Sequence, residues 1–372
     1  MQHLSNPFRG QGMGDLSGAP APSTDAQAVA TLLARCPAHA VTPLTAAPGL
    51  ADRAGVGALW VKDERGRMGL GSFKALGAAY VIACDAVATG ADDLPVALEG
   101  RTYITASAGN HGMSVAAGAR VFGARAVVHI AETVPESFAG RLREKGAEVV
   151  RAGAEYEASM ALAAASAEAN GYTLLSDSSW PGYMDRPYRL MEGYLQMAAE
   201  ALDNCPEPPT HVFLQAGVGG LAGAVAALVR KRLGDGPRVI VVEPDAAPAI
   251  YDSIKAGGFV TTSGPVSAMG RLDCKEASLI ALTGLSCDAD DFLLITEDEA
   301  AEALSGCDGV EVRAVDCSAP PCMVFFSAPG ATCLALSNWE HHAPGCPNPL
   351  GHDGVVLSAP IVCPDGYREC VR

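Results

Sequence analysis

Short runs of continuous apolar residues alternate with longer amphipathic stretches over most of this chain, and that alternation leaves few folds open. Thr102-Tyr-Ile-Thr105, Ala126-Val-Val-His-Ile130, Glu148-Val-Val150 and Tyr172-Thr-Leu-Leu175 read as strands. Between them lie helical patterns over His111–Phe122, Pro135–Gly146 and Tyr156–Asn170. A second series follows. Its strands are His211-Val-Phe-Leu214, Arg238-Val-Ile-Val-Val242 and Phe292-Leu-Leu-Ile295, and its helices cover 191–202, 221–233, 247–256 and 297–304. Strands that are apolar on both faces and separated by helices predict parallel sheets covered by helices on both sides. The expected fold is therefore α/β, with two open parallel-sheet lobes and a ligand between them at the carboxyl ends of strands. At 372 residues the chain has volume for both lobes. The boundaries expected are 1–95 plus 191–372 for a larger domain and 96–190 for a smaller one.

Acidic residues outnumber basic ones by 42 to 26, a net charge of −16, which argues against nucleic acid or an anionic membrane surface as partner. No apolar run approaches the roughly 20 residues of a membrane-spanning helix. The first residues lack the charged-then-apolar pattern of a secretory signal, so a cytoplasmic location is expected. The 12 cysteines include no C-x-x-C pair. His341, His342, Cys346 and His352 cluster without a tight ligand pair ahead of them, so no metal is expected.

Three turns carry chemistry. Met68-Gly-Leu-Gly-Ser-Phe-Lys-Ala-Leu-Gly77 is glycine-punctuated and then helical to Ala88, with Ser72 as N-cap. Lys74 sits at that junction. It is either a lysine snorkelling at a helix start or a desolvated amine able to attack a carbonyl. Thr105-Ala-Ser-Ala-Gly-Asn-His-Gly112 joins a strand to a helix whose unpaired N–H groups suit an anion, with the Asn110 amide as a further donor. Gln215-Ala-Gly-Val-Gly-Gly-Leu-Ala-Gly223 also joins strand to helix and suits a monophosphate. It lacks the Gly-Lys-Ser/Thr of a P-loop and the last glycine of a dinucleotide fingerprint. A fourth stretch, Leu175-Ser-Asp-Ser-Ser-Trp-Pro-Gly-Tyr183, offers Asp177 as an acid/base or as a turn cap. A lysine amine, a phosphate cup and a carboxylate site together describe pyridoxal-phosphate chemistry, with a small amino acid as substrate.

The chain resembles the fold-type II, tryptophan synthase β-like pyridoxal-phosphate enzymes, and within them the diaminopropionate ammonia-lyase family. The matching segments are Gly71–Gly77, Gly109-Asn-His-Gly112, Asp177 with Trp180–Tyr183, Glu192-Gly-Tyr194, Leu214–Gly219, Val242-Glu-Pro-Asp245 and Gly270-Arg-Leu-Asp-Cys274. The resemblance implies that Lys74 is the Schiff-base lysine and the base for an L-amino acid. It implies Phe73 beside the cofactor ring and Asn110 on its phenolic oxygen. Gly217, Val218, Gly219, Gly220 and Leu221 would hold the phosphate. Ser107, Ala108 and Gly109 would meet the substrate carboxylate, and Asp177 would lie near the leaving group. The larger domain would anchor the cofactor and the smaller one close on the substrate, in a homodimer. The implied reaction is α,β-elimination from a substrate such as 2,3-diaminopropionate, giving a 2-oxo acid and ammonia. Two departures stand out. Ala108 replaces an aspartate that relatives acting on the D-isomer carry, which favours a serine/threonine-type dehydratase as the alternative. The segment after residue 305 is cysteine- and proline-rich and departs from the family pattern, which leaves open a catalytically impaired relative. Within that segment Gly354-Val-Val-Leu-Ser358 reads as a strand, and Ser358 is the candidate partner of the ring nitrogen.

Overall fold

The computed structural model describes residues 1–305 and the backbone of residues 332–337; Ser358 and the strand expected around it lie outside these. In chain order the first elements are β1 (Gln2–Ser5), α1 (Ala26–Leu33), β2 (Leu44–Ala46), α2 (Pro48–Ala54), β3 (Ala58–Asp63) and α3 (Ala78–Ala88). Next come β4 (Thr102–Ala106), α4 (Asn110–Val121), β5 (Arg125–Ile130), α5 (Glu136–Glu144), β6 (Ala147–Arg151), α6 (Tyr156–Asn170), β7 (Thr173–Leu174) and α7 (Asp185–Asn204). The chain continues with β8 (His211–Gln215), α8 (Gly220–Leu233), β9 (Arg238–Pro244), α9 (Ala249–Ala256), α10 (Leu279–Asp288), β10 (Asp291–Ile295), α11 (Glu297–Ser305) and β11 (Thr332–Ser337).

These elements fall into two compact units. One comprises residues 1–24, 41–65 and the described residues from 197 onward, and the other comprises 25–40 and 66–196. The division falls within α7, after Gln196. The first unit holds a seven-stranded sheet in the order β1-β10-β9-β8-β11-β3-β2. Its interior pairs are parallel: β8 runs beside β9 with His211 opposite Arg238 and Gln215 opposite Val242. Only the edges, β1 on β10 and β2 on β3, are antiparallel. Leu59, Val61, Phe213, Ile240 and Val242 turn inward and meet Leu50, Met269 and Leu272 in one apolar cluster.

The second unit holds a four-stranded, all-parallel sheet in the order β6-β5-β4-β7. Every residue of β4 is buried, as a central strand with both faces covered requires. Ile104, Ala106 and Val127 pack there against Ala163 and Ala167 of α6. The small alanines of α6 let that helix lie close to the sheet.

Both sheets answer the parallel α/β expectation, and the departures have physical causes. The edge strands escape the sequence pattern because an edge is solvated on one side; β1 is half polar, and its His3 Nε2 lies 2.8 Å from Asp291 Oδ1. Helix α7 starts at Asp185, ahead of the residue 191 expected. Pro187 sits in its first turn, where a missing N–H costs no hydrogen bond. The helix expected from Ala75 instead breaks in two. A 3-10 turn, Phe73–Leu76, precedes α3, and Gly77 between them has φ −84° and ψ −84°.

That break is forced by close packing against α7. A Cβ on Gly77 would lie 2.8 Å from the Tyr194 ring. A Cβ on Gly193 would lie 2.0 Å from the Leu76 carbonyl oxygen, a contact that no side-chain rotation relieves. We expect Gly193→Ala to lower unfolding stability by about 1–3 kcal/mol or more, read as a fall in the urea midpoint followed by circular dichroism. An unchanged midpoint would show that the turn can retreat from α7.

Candidate active site

The loop that delivers Lys74 is tightly coiled. Met68, Gly69 and Gly71 all have positive φ (50°, 66° and 77°), a strained region for methionine. Ser72 is extended and its Oγ accepts a hydrogen bond from Lys74 N at 3.2 Å, the N-cap the sequence predicts. Phe73, Ala75 and Leu76 are buried and anchor the turn, while the Lys74 side chain stays partly exposed. Lys74 Nζ donates to Asp177 Oδ2 at 2.6 Å. The amine also lies 5.3 Å from the centre of the Phe73 ring and 5.9 Å from that of Tyr194. An ammonium is favoured by the carboxylate and by both ring faces.

Asp177 is aimed by its own loop. The Tyr183 hydroxyl donates to the Leu174 carbonyl and accepts from Ser176 N, each at 3.0 Å, and the Tyr183 ring stacks on Trp180 at 4.3 Å. The local turn is capped by Ser176, whose Oγ accepts from Ser178 N at 3.2 Å. Asp177 is left to pair with the lysine. Burial pushes its pKa up, but the charge of Lys74, the charge His111 gains at the acidic pH where the carboxyl titrates, and the Lys74 hydrogen bond outweigh this and hold it well below the usual carboxylate range.

His111 completes this cluster, a residue with no role assigned from sequence. It is buried, and its Nε2 donates to the Leu175 carbonyl at 2.8 Å. Nδ1 therefore carries the bare lone pair, and it has no hydrogen-bond partner. Burial lowers its pKa, with Asp177 opposing and Lys74 reinforcing the shift, so the ring is neutral at neutral pH. The signal was present in the Gly-Asn-His-Gly motif, but only the strand-to-loop path of 173–177 shows what the ring touches. Tyr194 was likewise visible only as part of Glu192-Gly-Tyr194.

Ser107, Ala108, Gly109 and Asn110 form the turn between β4 and α4. Ser107 Oγ accepts from Gly109 N at 3.3 Å. No side chain caps the start of α4 at Gly109, so first-turn N–H groups are available to an anion. A Cβ on Gly112 would lie 2.2 Å from the Ser107 carbonyl oxygen, so the turn folds this tightly only over glycine.

Gly217–Leu221 form the turn between β8 and α8 in the other unit. Gly219, the N-cap, has φ +93° and no side-chain cap. A Cβ on Gly217 would lie 3.0 Å from Cys274 Sγ and 3.1 Å from the Arg271 carbonyl oxygen. The Val218 carbonyl accepts from Ser278 N at 2.9 Å. The segment 271–278 thus backs the loop and fixes its curvature, a contact between distant stretches that spacing cannot reveal. Lys62, also in this unit, is a contrast to Lys74. It is fully buried and donates to Glu200 Oε2 and to the Thr42 carbonyl, both at 2.7 Å. That lysine is committed to structure. Among the described residues no cluster of histidine, cysteine and acidic side chains could hold a metal ion.

The depressed pKa of Asp177 fixes a pH dependence. A carboxyl lowered on folding adds stability that is complete above its unfolded value, 3.8, and is lost as pH falls through the folded value. We expect the parent protein and Asp177→Asn to differ in unfolding stability by a constant amount near neutrality. The difference should shrink only below about pH 4, measured by urea denaturation across a pH series.

Residues 36–308 match the family of pyridoxal-phosphate dependent enzymes. The chain is 34% identical over 268 residues to a diaminopropionate ammonia-lyase of Salmonella typhimurium, covering 66% of each chain. It is 36% identical over 249 residues to the diaminopropionate ammonia-lyase of Escherichia coli K12, covering 63% of each. The aligned region thus spans about two thirds of the length of these relatives. The crystal structure of the E. coli diaminopropionate ammonia lyase in complex with D-serine superposes with a TM-score of 0.76 at 25% identity, over 100% of this chain and 96% of that one. With its parallel sheets, its lysine–aspartate pair and its two glycine-floored helix starts, the chain belongs to the pyridoxal-phosphate dependent enzymes, in the fold-type II, tryptophan synthase β-like group.

Proposed function

We propose that this protein is a lyase that eliminates ammonia from L-2,3-diaminopropionate, taking up one water and releasing pyruvate and two molecules of ammonia. The observation that carries the reading is the 2.6 Å contact between Lys74 Nζ and Asp177 Oδ2, which puts an amine and a carboxylate at one point beside an anion-ready helix start. The ammonia-lyase relatives support the choice of substrate.

The residues fit pyridoxal phosphate. The turn at Gly217, Val218, Gly219, Gly220 and Leu221 is tight around a Cβ at 217, needs positive φ at 219, and presents backbone N–H groups at a helix start, as a phosphate requires. Lys74 would carry the cofactor, with Phe73 beside its ring and Asn110 on its phenolic oxygen. When bound, the cofactor supplies the electron sink that lets Cα lose its proton. Lys74 Nζ, once neutral, takes that proton, and Asp177 orients the resulting ammonium and faces the leaving amine. Ser107, Ala108 and Gly109 receive the substrate carboxylate on the N–H groups at the start of α4. In this reading the larger domain, 1–95 plus 191–372, anchors the cofactor and 96–190 closes on the substrate, in a cytoplasmic homodimer. No helix among the described residues is long and apolar enough to cross a membrane.

Ala108 bears on stereochemistry and on the second reading. A D-substrate presents its α-proton to the face away from Lys74, and an alanine methyl cannot remove it. The same alanine favours a serine/threonine-type dehydratase on this scaffold.

The test is product analysis of the protein supplied with pyridoxal phosphate and, in turn, L- and D-2,3-diaminopropionate, L-serine and L-threonine. We expect pyruvate and ammonia from L-diaminopropionate, little from the D-isomer, and a loss of roughly 10³-fold in Lys74→Ala. Faster turnover of serine or threonine selects the dehydratase; no 2-oxo acid from any of them rejects both. Gly219→Ala places a side chain at φ +93° and within 2.7 Å of Ile250 Cδ1. It should weaken cofactor binding about tenfold or more, read from a fluorescence titration with pyridoxal phosphate.

A further inference from the structure

Tyr194, on α7, is 1% exposed, and its hydroxyl makes no completed hydrogen bond in the structure. A buried hydroxyl left in that state costs stability. The ring is nevertheless held firmly. It meets Phe73 edge-to-face at 4.9 Å and 73°, and its oxygen lies over Gly77, 2.9 Å from where a Cβ would be. Lys74 lies three residues before that glycine, with its Nζ 5.9 Å from the ring centre. The charged groups that act on the phenol are Lys74 on the 3-10 turn and Asp177 on its loop. His111, on α4, acts in turn on Asp177. On α7 itself, Glu192 is engaged elsewhere, with Arg189 at 2.6 Å and Tyr80 at 3.4 Å. Burial pushes the Tyr194 phenol up, with Asp177 adding to this and Lys74 opposing it both by its charge and by lying within hydrogen-bonding reach of the hydroxyl, so the hydroxyl keeps a proton to donate.

The two states of Lys74 need different partners. The ammonium offers N–H donors and has no lone pair, and the Asp177 carboxylate serves it. The neutral amine has a lone pair that needs a donor, and a carboxylate has none to give. Building on the reading of Lys74 as the reactive amine, we propose that Tyr194 is a positioning residue for it: its hydroxyl donates a hydrogen bond to the Nζ lone pair once the lysine has released its proton. Asp177 and Tyr194 then form an opposed pair, the first holding the charged lysine and the second the uncharged one. A hydroxyl that meets the lysine without a full hydrogen bond beside the ion pair is poised for the state in which the lysine works.

The experiment needs no turnover. The full-length protein, free of cofactor, is pulse-labelled with acetic anhydride over a pH series, and the extent of Lys74 modification is quantified by mass spectrometry to give the pH midpoint of its reactivity. Tyr194→Phe keeps the ring and its packing. It should move the midpoint upward, by an amount equal to about a fivefold tighter hold on the proton. Asp177→Asn should move it downward. A midpoint that is unchanged or lower in Tyr194→Phe overturns the proposal, because packing alone does not distinguish the two rings. Should that variant not fold, 3-fluorotyrosine placed at 194, a stronger donor, must lower the midpoint; no movement again overturns it. Because labelling reads the lysine directly, a protein that failed to turn over diaminopropionate would still report on Tyr194.

Discussion

The Leu76 carbonyl oxygen occupies the space where residue 193 would have a Cβ, and much of the candidate site depends on that contact. Two glycines, Gly77 and Gly193, let the lysine-bearing turn settle directly onto α7. The turn cannot then continue as an α-helix, so Phe73–Leu76 tightens into a 3-10 turn before α3 begins at Ala78. This brings Tyr194 against Phe73 and sets the direction in which Lys74 leaves the backbone. The geometry of one side chain is thus fixed by the absence of two others.

Electrostatics then selects among the lysines. Lys62 is enclosed and fully engaged with Glu200 and a main-chain carbonyl. Lys74 pairs with the Asp177 carboxylate, faces two aromatic rings and is partly exposed. The neutral His111 beside Asp177 keeps the local charge balanced, since a second cation there would compete for the carboxylate. A site of this kind holds its amine charged at rest and needs only the loss of one proton to become a nucleophile or base.

The two anion-ready turns share one device. In each, a strand ends in a glycine-containing loop and a helix starts without a side-chain cap, leaving backbone donors for a ligand. What differs is the support. Gly112 allows the first turn to fold over the Ser107 carbonyl, whereas the second is braced by residues 271–278 from far along the chain. Local sequence specifies the first almost completely and the second only in part.

The alternation of apolar and amphipathic stretches determined the α/β class, and strand–glycine–helix junctions marked both turns and Lys74, because these signals reside in a few adjacent residues. Ser72 as the cap of the lysine turn was legible for the same reason. The edge strands β1 and β2, the early start of α7 and the break at Gly77 were not, because each depends on what a residue packs against rather than on its neighbours in sequence. The pairing of Asp177 with Lys74 joins residues 103 positions apart. From sequence alone Asp177 could equally have capped its own turn. Only the tertiary structure, in which Ser176 takes that cap and Tyr183 pins the loop, turned the carboxylate toward the amine. It also left the Tyr194 hydroxyl buried within electrostatic reach of both, a property of packing that no spacing of residues encodes.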